Sequence, residues 1–195
     1  MLIFAAMNQP GKIIIITAPS GAGKTSITHY LLQQFPTLTF SISAATRQPR
    51  GTEVSGKDYY FMSEEDFRQK IRQNEFLEWE MVYEGKYYGT LKSEMDRIWS
   101  EGKTPILDID VKGAIHVQQQ YPGRCLSLFI QAPSVDALKE RLEGRGTETA
   151  ESLATRLSKA SYEMSFRNKF DAVIVNDVLE NAQHETEGIV QQFLQ

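Results

Sequence analysis

Ile13-Ile14-Ile15-Ile16-Thr17-Ala18-Pro19-Ser20-Gly21-Ala22-Gly23-Lys24-Thr25 is the stretch that decides how this chain folds. Four consecutive isoleucines leave no polar side for water, as in a strand covered on both faces. The run breaks at a loop with one proline and two glycines, then enters a helical pattern from Lys24 to Phe35. A strand, a Gly-rich loop and a helix opening on Lys-Thr nearly match the Walker A phosphate loop. Gly21 and Gly23 let backbone N–H groups turn inward onto phosphate oxygens, helped by the positive end of the following helix. Lys24 is then placed to bridge the β- and γ-phosphates of a nucleotide, and the Thr25 hydroxyl to hold Mg²⁺. Ala18 stands where the simple pattern has glycine, so that position must accept a Cβ.

Working outward, four more apolar runs follow: Phe40 to Ser43, Pro105 to Asp110, Leu126 to Ala132 and Ala172 to Asn176. Helical patterns separate them at Val111 to Gln120, Ser134 to Leu142, Ala150 to Ser165 and Asn181 to Phe193. The alternation predicts an α/β fold, a parallel sheet with helices on both faces. Leu153, Leu157, Ala160 and Met164 recur at helical spacing and read as a core stripe. The stretch from Gly51 to Gly102 breaks the alternation, reading strand, helix, strand, strand, helix. Ser63-Glu64-Glu65-Asp66 opens its helix in the manner of a capping box. Glu84-Gly85, between Phe76–Val82 and Lys86–Tyr88, reads as a hairpin turn. A small mixed α+β lobe inserted in a parallel core suits the grip of a second ligand. Glu143-Gly144-Arg145-Gly146-Thr147-Glu148 is rich in glycine and charge and reads as a mobile lid.

Composition narrows the class. A length of 195 residues, against roughly 150 per domain, means one domain, spanning 1–195. The core is expected at 11–45 and 103–195, the lobe at about 46–102 and the lid at about 140–157. Hydrophobic residues at 41% and charged residues at 24% exclude a disordered chain. Lys plus Arg against Asp plus Glu, 21 − 25 = −4, argues against a nucleic-acid coat. Local arginines can still attract small anions. One cysteine, Cys125, excludes a disulfide framework and a cysteine-rich zinc module. No stretch approaches the roughly 20 apolar residues of a membrane span, so the chain reads as cytoplasmic, with no membrane partner. Residues 1–10 read as a leader ahead of the domain, with Met7 as a second start.

Asp108-Ile109-Asp110 closes an apolar run, and period two puts both carboxylates on one face of the strand end. In a doubly wound sheet that end lines the ligand crevice, although either residue could instead cap the next helix. Arg47-Gln48-Pro49-Arg50 sets two guanidiniums three apart on a stiffened loop, a pattern suited to a phosphate monoester. Arg141, Arg145 and Arg156 surround the lid and are suited to neutralising a transferring phosphoryl group. His29, His116 and His184 lie far apart and are assigned no catalytic part.

In this order and spacing the segments resemble the guanylate kinase family from about Lys12 to Asp177. The signatures are Ser-Gly-Ala-Gly-Lys at 20–24, Thr46-Arg47-Gln48-Pro49-Arg50 and Gly56-Lys57-Asp58-Tyr59. Phe76-Leu77-Glu78-Trp79, Tyr87-Tyr88-Gly89-Thr90 and Ile106-Leu107-Asp108-Ile109-Asp110 continue them. Arg141-Leu142-Glu143-Gly144-Arg145-Gly146 and Val173-Ile174-Val175-Asn176-Asp177 complete the set. The resemblance implies a P-loop NTPase core, a GMP-binding lobe and a lid, and ATP-dependent phosphorylation of GMP, with dGMP as a further acceptor. It implies that Ala18 to Thr25, Arg141 and Asn176 bind ATP, with Asn176 near adenine, and that Thr25 and Asp108 serve Mg²⁺. It further implies that Ser43, Arg47, Arg50, Tyr59 and Tyr88 hold the GMP phosphate, while Glu78, Thr90 and Asp110 read guanine. Lys24, Arg47, Arg145 and Arg156 are the implied catalytic residues.

The chemistry agrees: guanine offers N1–H and N2–H₂ as donors, and carboxylates accept. Ala44-Ala45 departs from the family, which often carries hydroxyl or polar residues there, so one polar contact is expected to be missing. Two other readings compete. A ribose-phosphate kinase on the same core would leave Glu78, Thr90 and Asp110 without a purpose. A non-catalytic scaffold domain that binds phosphopeptides would be marked by loss of the loop lysine, and Lys24 is present. A homo-oligomer is compatible with the enzyme reading.

Overall fold

The computed structural model describes residues 11–144 and 149–195. The stretch read as a leader, 1–10, and the centre of the expected lid, 145–148 with Arg145, lie outside the described residues. Strand β1 (Ile13–Thr17) has four isoleucines without exposed surface. Side chains alternate across a strand, and here they feed two separate cores. Ile14 and Ile16 share one with Ile27 and Leu31 of α1 (Lys24–Gln34) and Ala182 and Val190 of α7 (Leu179–Leu194). Ile13 and Ile15 share the other with Met95 and Ile98 of α3 (Lys92–Ser100) and with Val111, Ala114 and Val117 of α4 (Val111–Gln120).

The main sheet is parallel, in the order β2 (Leu38–Phe40), β7 (Thr104–Asp108), β1, β8 (Cys125–Gln131), β9 (Ala172–Val175). The chain leaves β1 toward one edge for β2 and later fills the other with β8 and β9. Ligands of such sheets bind beyond the carboxyl ends at that reversal, which here means the ends of β1 and β7, where Ile16 pairs with Asp108. Five strands fall in the five expected places. The second starts and stops earlier than the expected Phe40–Ser43. The Ser41 N–H still reaches Ile106 O (2.9 Å), but the Ile42 N–H is taken by the buried Glu94 carboxylate (3.1 Å), and the chain leaves the sheet there.

A second sheet forms the lobe, in the order β4 (Tyr60–Phe61), β3 (Ala44–Ala45), β6 (Lys86–Leu91), β5 (Phe76–Tyr83). The boundary expected at 46 therefore falls late, since Ala44 and Ala45 pair with β4 and β6 and are fully buried. The opposite boundary also moves, because Met95 and Ile98 of α3 pack in the main core. Ser63 caps α2 (Glu64–Arg72), its Oγ accepting the Asp66 N–H (3.0 Å), and Gly85 turns the hairpin at φ 70°. Helix α5 (Val135–Glu143) precedes α6 (Ala150–Met164). The expected stripe on α6 splits: Leu153, Leu157 and Ala160 face one core and Met164 the other. No described helix is long and apolar enough to cross a membrane.

The lobe has its own small core, in which Phe67 stacks on Phe76 (4.2 Å between centroids) beside Tyr87. Phe67 has no exposed surface. Truncating it leaves a cavity the short sheet cannot refill, so Phe67→Ala should destabilise the fold by about 3–5 kcal/mol. A denaturant titration checks this, and a loss below about 1 kcal/mol would contradict it.

Candidate active site

The loop between β1 and α1 turns through Gly21 and Gly23, at φ 91° and 98°. L side chains rarely adopt that region. A Cβ on Gly23 would also fall 2.1 Å from Asn176 Nδ2. Gly23 is the N-cap of α1, makes no side-chain cap, and no acidic residue follows in the first turn. The first N–H groups of α1 are thus left to an anion, with the helix dipole behind them. Lys24 bonds to the Asp108 carboxylate across the gap between β1 and β7. Arg156 of α6 reaches back to the loop, its Nη1 donating to Ser20 Oγ (2.9 Å).

One cavity of about 840 Å³ runs from this loop into the lobe. Its near wall is Ala18, Pro19, Ser20, Gly21, Gly23, Lys24 and Thr25, with Asp108 and Arg156. Its far wall brings together Ser43, Tyr59, Glu78, Tyr88 and Asp110. Asp110 also caps α4, Oδ1 accepting the Gly113 N–H (2.7 Å), so its two readings, cap and site, hold together.

Glu78 is buried, and that burial pushes its carboxyl up to about 7 against the opposing bond from Thr90 Oγ1 to Oε1 (2.6 Å). Thr90, expected to read guanine beside Glu78, is buried outside the cavity wall, and its hydroxyl donates to the Glu78 carboxylate. Asn176 was expected near adenine. It is buried beneath the phosphate loop, where its amide donates to Ala22 O (2.8 Å), and it is absent from the cavity wall. Ala22 is likewise buried under the loop. Arg141 turns to the Asp177 carbonyl (3.3 Å) rather than into the cavity.

Arg47 lies beside the cavity, held in a fork by Glu53 (2.5 and 2.7 Å) and stacked 4.7 Å over Tyr59. That bond raises the Arg47 pKa and lowers Glu53 to about 2, helped by the Arg50 backbone N–H (2.7 Å). The Arg50 side chain is exposed.

The cavity also contains residues that sequence reasoning missed. Glu80 is pushed up to about 7, first by its hydrogen bond with Asp110 and then by burial. Its signal was available, because positions 78 and 80 of a strand share a face. Ser152, Thr155, Lys159 and Glu163 line the wall from α6. They follow the same helical period as the apolar stripe, on the neighbouring face of that helix. Burial pushes the Glu163 carboxyl up, with Lys159 Nζ 3.8 Å away. Glu53 gave no signal, since only folding brings it to Arg47.

Comparisons with known proteins bear on the same features. The family model described as guanylate kinase matches residues 10–193. Guanylate kinase of Bacteroides thetaiotaomicron is 48% identical over 191 residues, covering 98% of this chain and 94% of that one. The enzyme of Salinibacter ruber is 48% identical over 183 residues, covering 94% and 97%. The crystal structure of guanylate kinase from Anaplasma phagocytophilum superposes with a TM-score of 0.73 at 28% identity, covering 95% of this chain and 87% of that one. With an uncapped phosphate loop, a lobe carrying a buried carboxylate and a match along almost its whole length, this chain belongs to the guanylate kinase family.

Proposed function

We propose that this protein transfers the γ-phosphoryl group of ATP to GMP, giving ADP and GDP, and that it also accepts dGMP. The observation that carries the reading is one continuous cavity with the open helix N-terminus and Lys24 at one end and buried Glu78 at the other. In the reaction a GMP phosphate oxygen bonds to the γ-phosphorus, and the bond from phosphorus to the β,γ-bridging oxygen breaks. The attacking oxygen is already ionised, so positioning and charge neutralisation supply the catalysis. The loop N–H groups and Lys24 hold the ATP phosphates. Thr25 and Asp108 offer oxygens beside Lys24 on the same cavity wall, which suits Mg²⁺, an ion that takes few protein ligands and completes its shell with phosphates and water. The ion would supply positive charge at the β- and γ-oxygens.

Ser43, Tyr59, Tyr88 and the Arg47–Arg50 loop are suited to hold the monophosphate. Glu78 and Asp110 accept from guanine N1–H and N2–H₂, with Thr90 acting through Glu78. Adenine presents a lone pair at N1 and no 2-amino group, and sites of this kind can reject the wrong partner by factors on the order of 10⁴. Arg156, and Arg145 from the lid, neutralise the transferring group. A cytoplasmic location suits a reaction between these nucleotides.

Lys24→Ala should abolish turnover while leaving the melting temperature within a few degrees. Its partner pair is about one-quarter exposed, and such pairs contribute about 1 kcal/mol or less. Wild-type kcat in that variant would contradict the assignment.

Base recognition needs Glu78 ionised. With its pKa raised to about 7, the ionised form is lost as pH falls through that value and regained above it. The Kd for GMP should therefore weaken about tenfold from pH 8 to pH 6, while that for ATP does not follow. Glu78→Gln should weaken GMP roughly 10- to 100-fold at pH 8 and flatten this profile. Calorimetry over the pH range checks both, and an equal loss of ATP affinity would count against them.

Two arginines should separate by role. Arg145→Ala should lower kcat by at least about two decades with a modest change in Kd for GMP. Arg47→Ala should instead weaken GMP binding, since it removes a guanidinium from the monophosphate side. A coupled assay with calorimetry distinguishes them, and a reversed pattern would refute the pairing of roles.

A further inference from the structure

Glu78 comes from β5 and Asp110 is the N-cap of α4, two residues past β7, and both meet the first turn of α4. The Gly113 N–H donates to Asp110 Oδ1 (2.7 Å). A Cβ built on Gly113 would lie 2.7 Å from Glu78 Oε2, 3.1 Å from Asp110 Oδ1 and 3.3 Å from Glu78 Cδ. Thr90 holds the other Glu78 oxygen at 2.6 Å. The carboxylate is thus seated between a hydroxyl on one side and a bare Cα on the other. Gly113 has no positive φ, so the helix itself does not require glycine, and alanine is the better helix former. The requirement comes from the carboxylate.

We propose that Gly113 is a specificity-determining position, whose missing side chain is the space that seats Glu78 beside Asp110 for the two guanine donors. This rests on the functional reading above. A Cβ there must displace one of three things. The α4 backbone is fixed, because Val111, Ala114 and Val117 are buried in the core. Asp110 is tied to α4 as its cap. The Glu78 carboxylate is the end of a flexible side chain, and it borders a second cleft of about 340 Å³ into which it can withdraw. It is the group that yields, so the fold persists while the acceptor leaves its place.

The test is Gly113→Ala beside Gly188→Ala, a control on α7 where an added Cβ meets nothing within 4 Å. Calorimetry gives Kd for GMP and for ATP, thermal melting gives Tm, and a coupled assay gives kcat/KM for GMP and AMP. For Gly113→Ala the expected result is a GMP Kd weaker by roughly 10- to 100-fold and a comparable fall in the GMP-over-AMP preference. Its ATP Kd should stay within about twofold and its Tm be unchanged or raised. Gly188→Ala should leave both Kd values unchanged. A GMP Kd within about twofold of wild type would overturn the proposal, as would a parallel loss of ATP affinity. A lowered Tm or failure to fold would overturn it too, since the backbone and not Glu78 would then have taken the strain. Wild-type protein that binds no GMP would overturn the functional reading itself. Wild-type binding with an unaffected Gly113→Ala variant would remove this inference alone.

Discussion

The site depends on a backbone turn that most residues cannot make. β1 is buried on both faces and must hand over to α1 within a few residues, which it does through left-handed glycines at 21 and 23. Two long-range contacts hold that turn. Asn176, just beyond β9, places its amide where a Gly23 Cβ would stand and donates to the Ala22 carbonyl. Leu138 and Leu142 of α5 lie where a Gly21 Cβ would meet them, at 3.2 and 3.0 Å. The loop is thus braced from below, and its open N–H groups are aimed before any anion arrives. Preorganised donors of this kind need no rearrangement when charge develops.

Three cations in or beside the cavity each have a partner within the chain. Lys24 holds Asp108, Arg47 holds Glu53, and Arg156 donates to Ser20. The first of these is not a strong competitor. The Lys24–Asp108 pair is about one-quarter exposed and contributes about 1 kcal/mol or less. A polyanion carrying several charges and many acceptor oxygens outweighs it. At the lobe end of the cavity the charges are of the other sign, and Glu78 and Glu80 are both pushed up to about 7, Glu78 by burial and Glu80 first by its hydrogen bond with Asp110.

The lobe is joined to the core at a few points, and Glu94 is central among them. It is 2% exposed and accepts from the Ile42 N–H (3.1 Å), Tyr60 Oη (2.8 Å) and the Arg97 fork (2.9 and 2.8 Å). A buried carboxylate is costly without partners, so this one ties the chain before Ser43, the strand beside Tyr59 and helix α3 together. Leu77 adds an apolar link by packing in the main core from a lobe strand. The lobe's own core, around Phe67, remains separate. The cavity runs across the junction of the two parts, from the phosphate loop into the lobe.

What could be read from the chain alone was whatever is carried by neighbours in sequence. The isoleucine run, the glycine spacing, Lys24-Thr25 and the alternation of strands with helices are local patterns, and backbone stereochemistry turns them directly into a parallel sheet with a phosphate loop. The near pair Glu78 with Glu80 shares a strand face for the same reason, whereas Asp110 lies past the end of β7 and caps α4. Other features were decided only by tertiary structure. Ala44–Ala45 looked like core chain and became the middle of the lobe sheet. The Thr90 hydroxyl donates to Glu78, the Asn176 amide donates to Ala22 under the loop, and Glu53 fills the Arg47 fork. Each of these is a meeting of groups that no helix or strand period brings together, whether they lie six residues apart, as Arg47 and Glu53 do, or 154 apart, as Asn176 and Ala22 do. Sequence supplies the donors and acceptors, but which of them meet, and how far water is excluded around them, is set by packing.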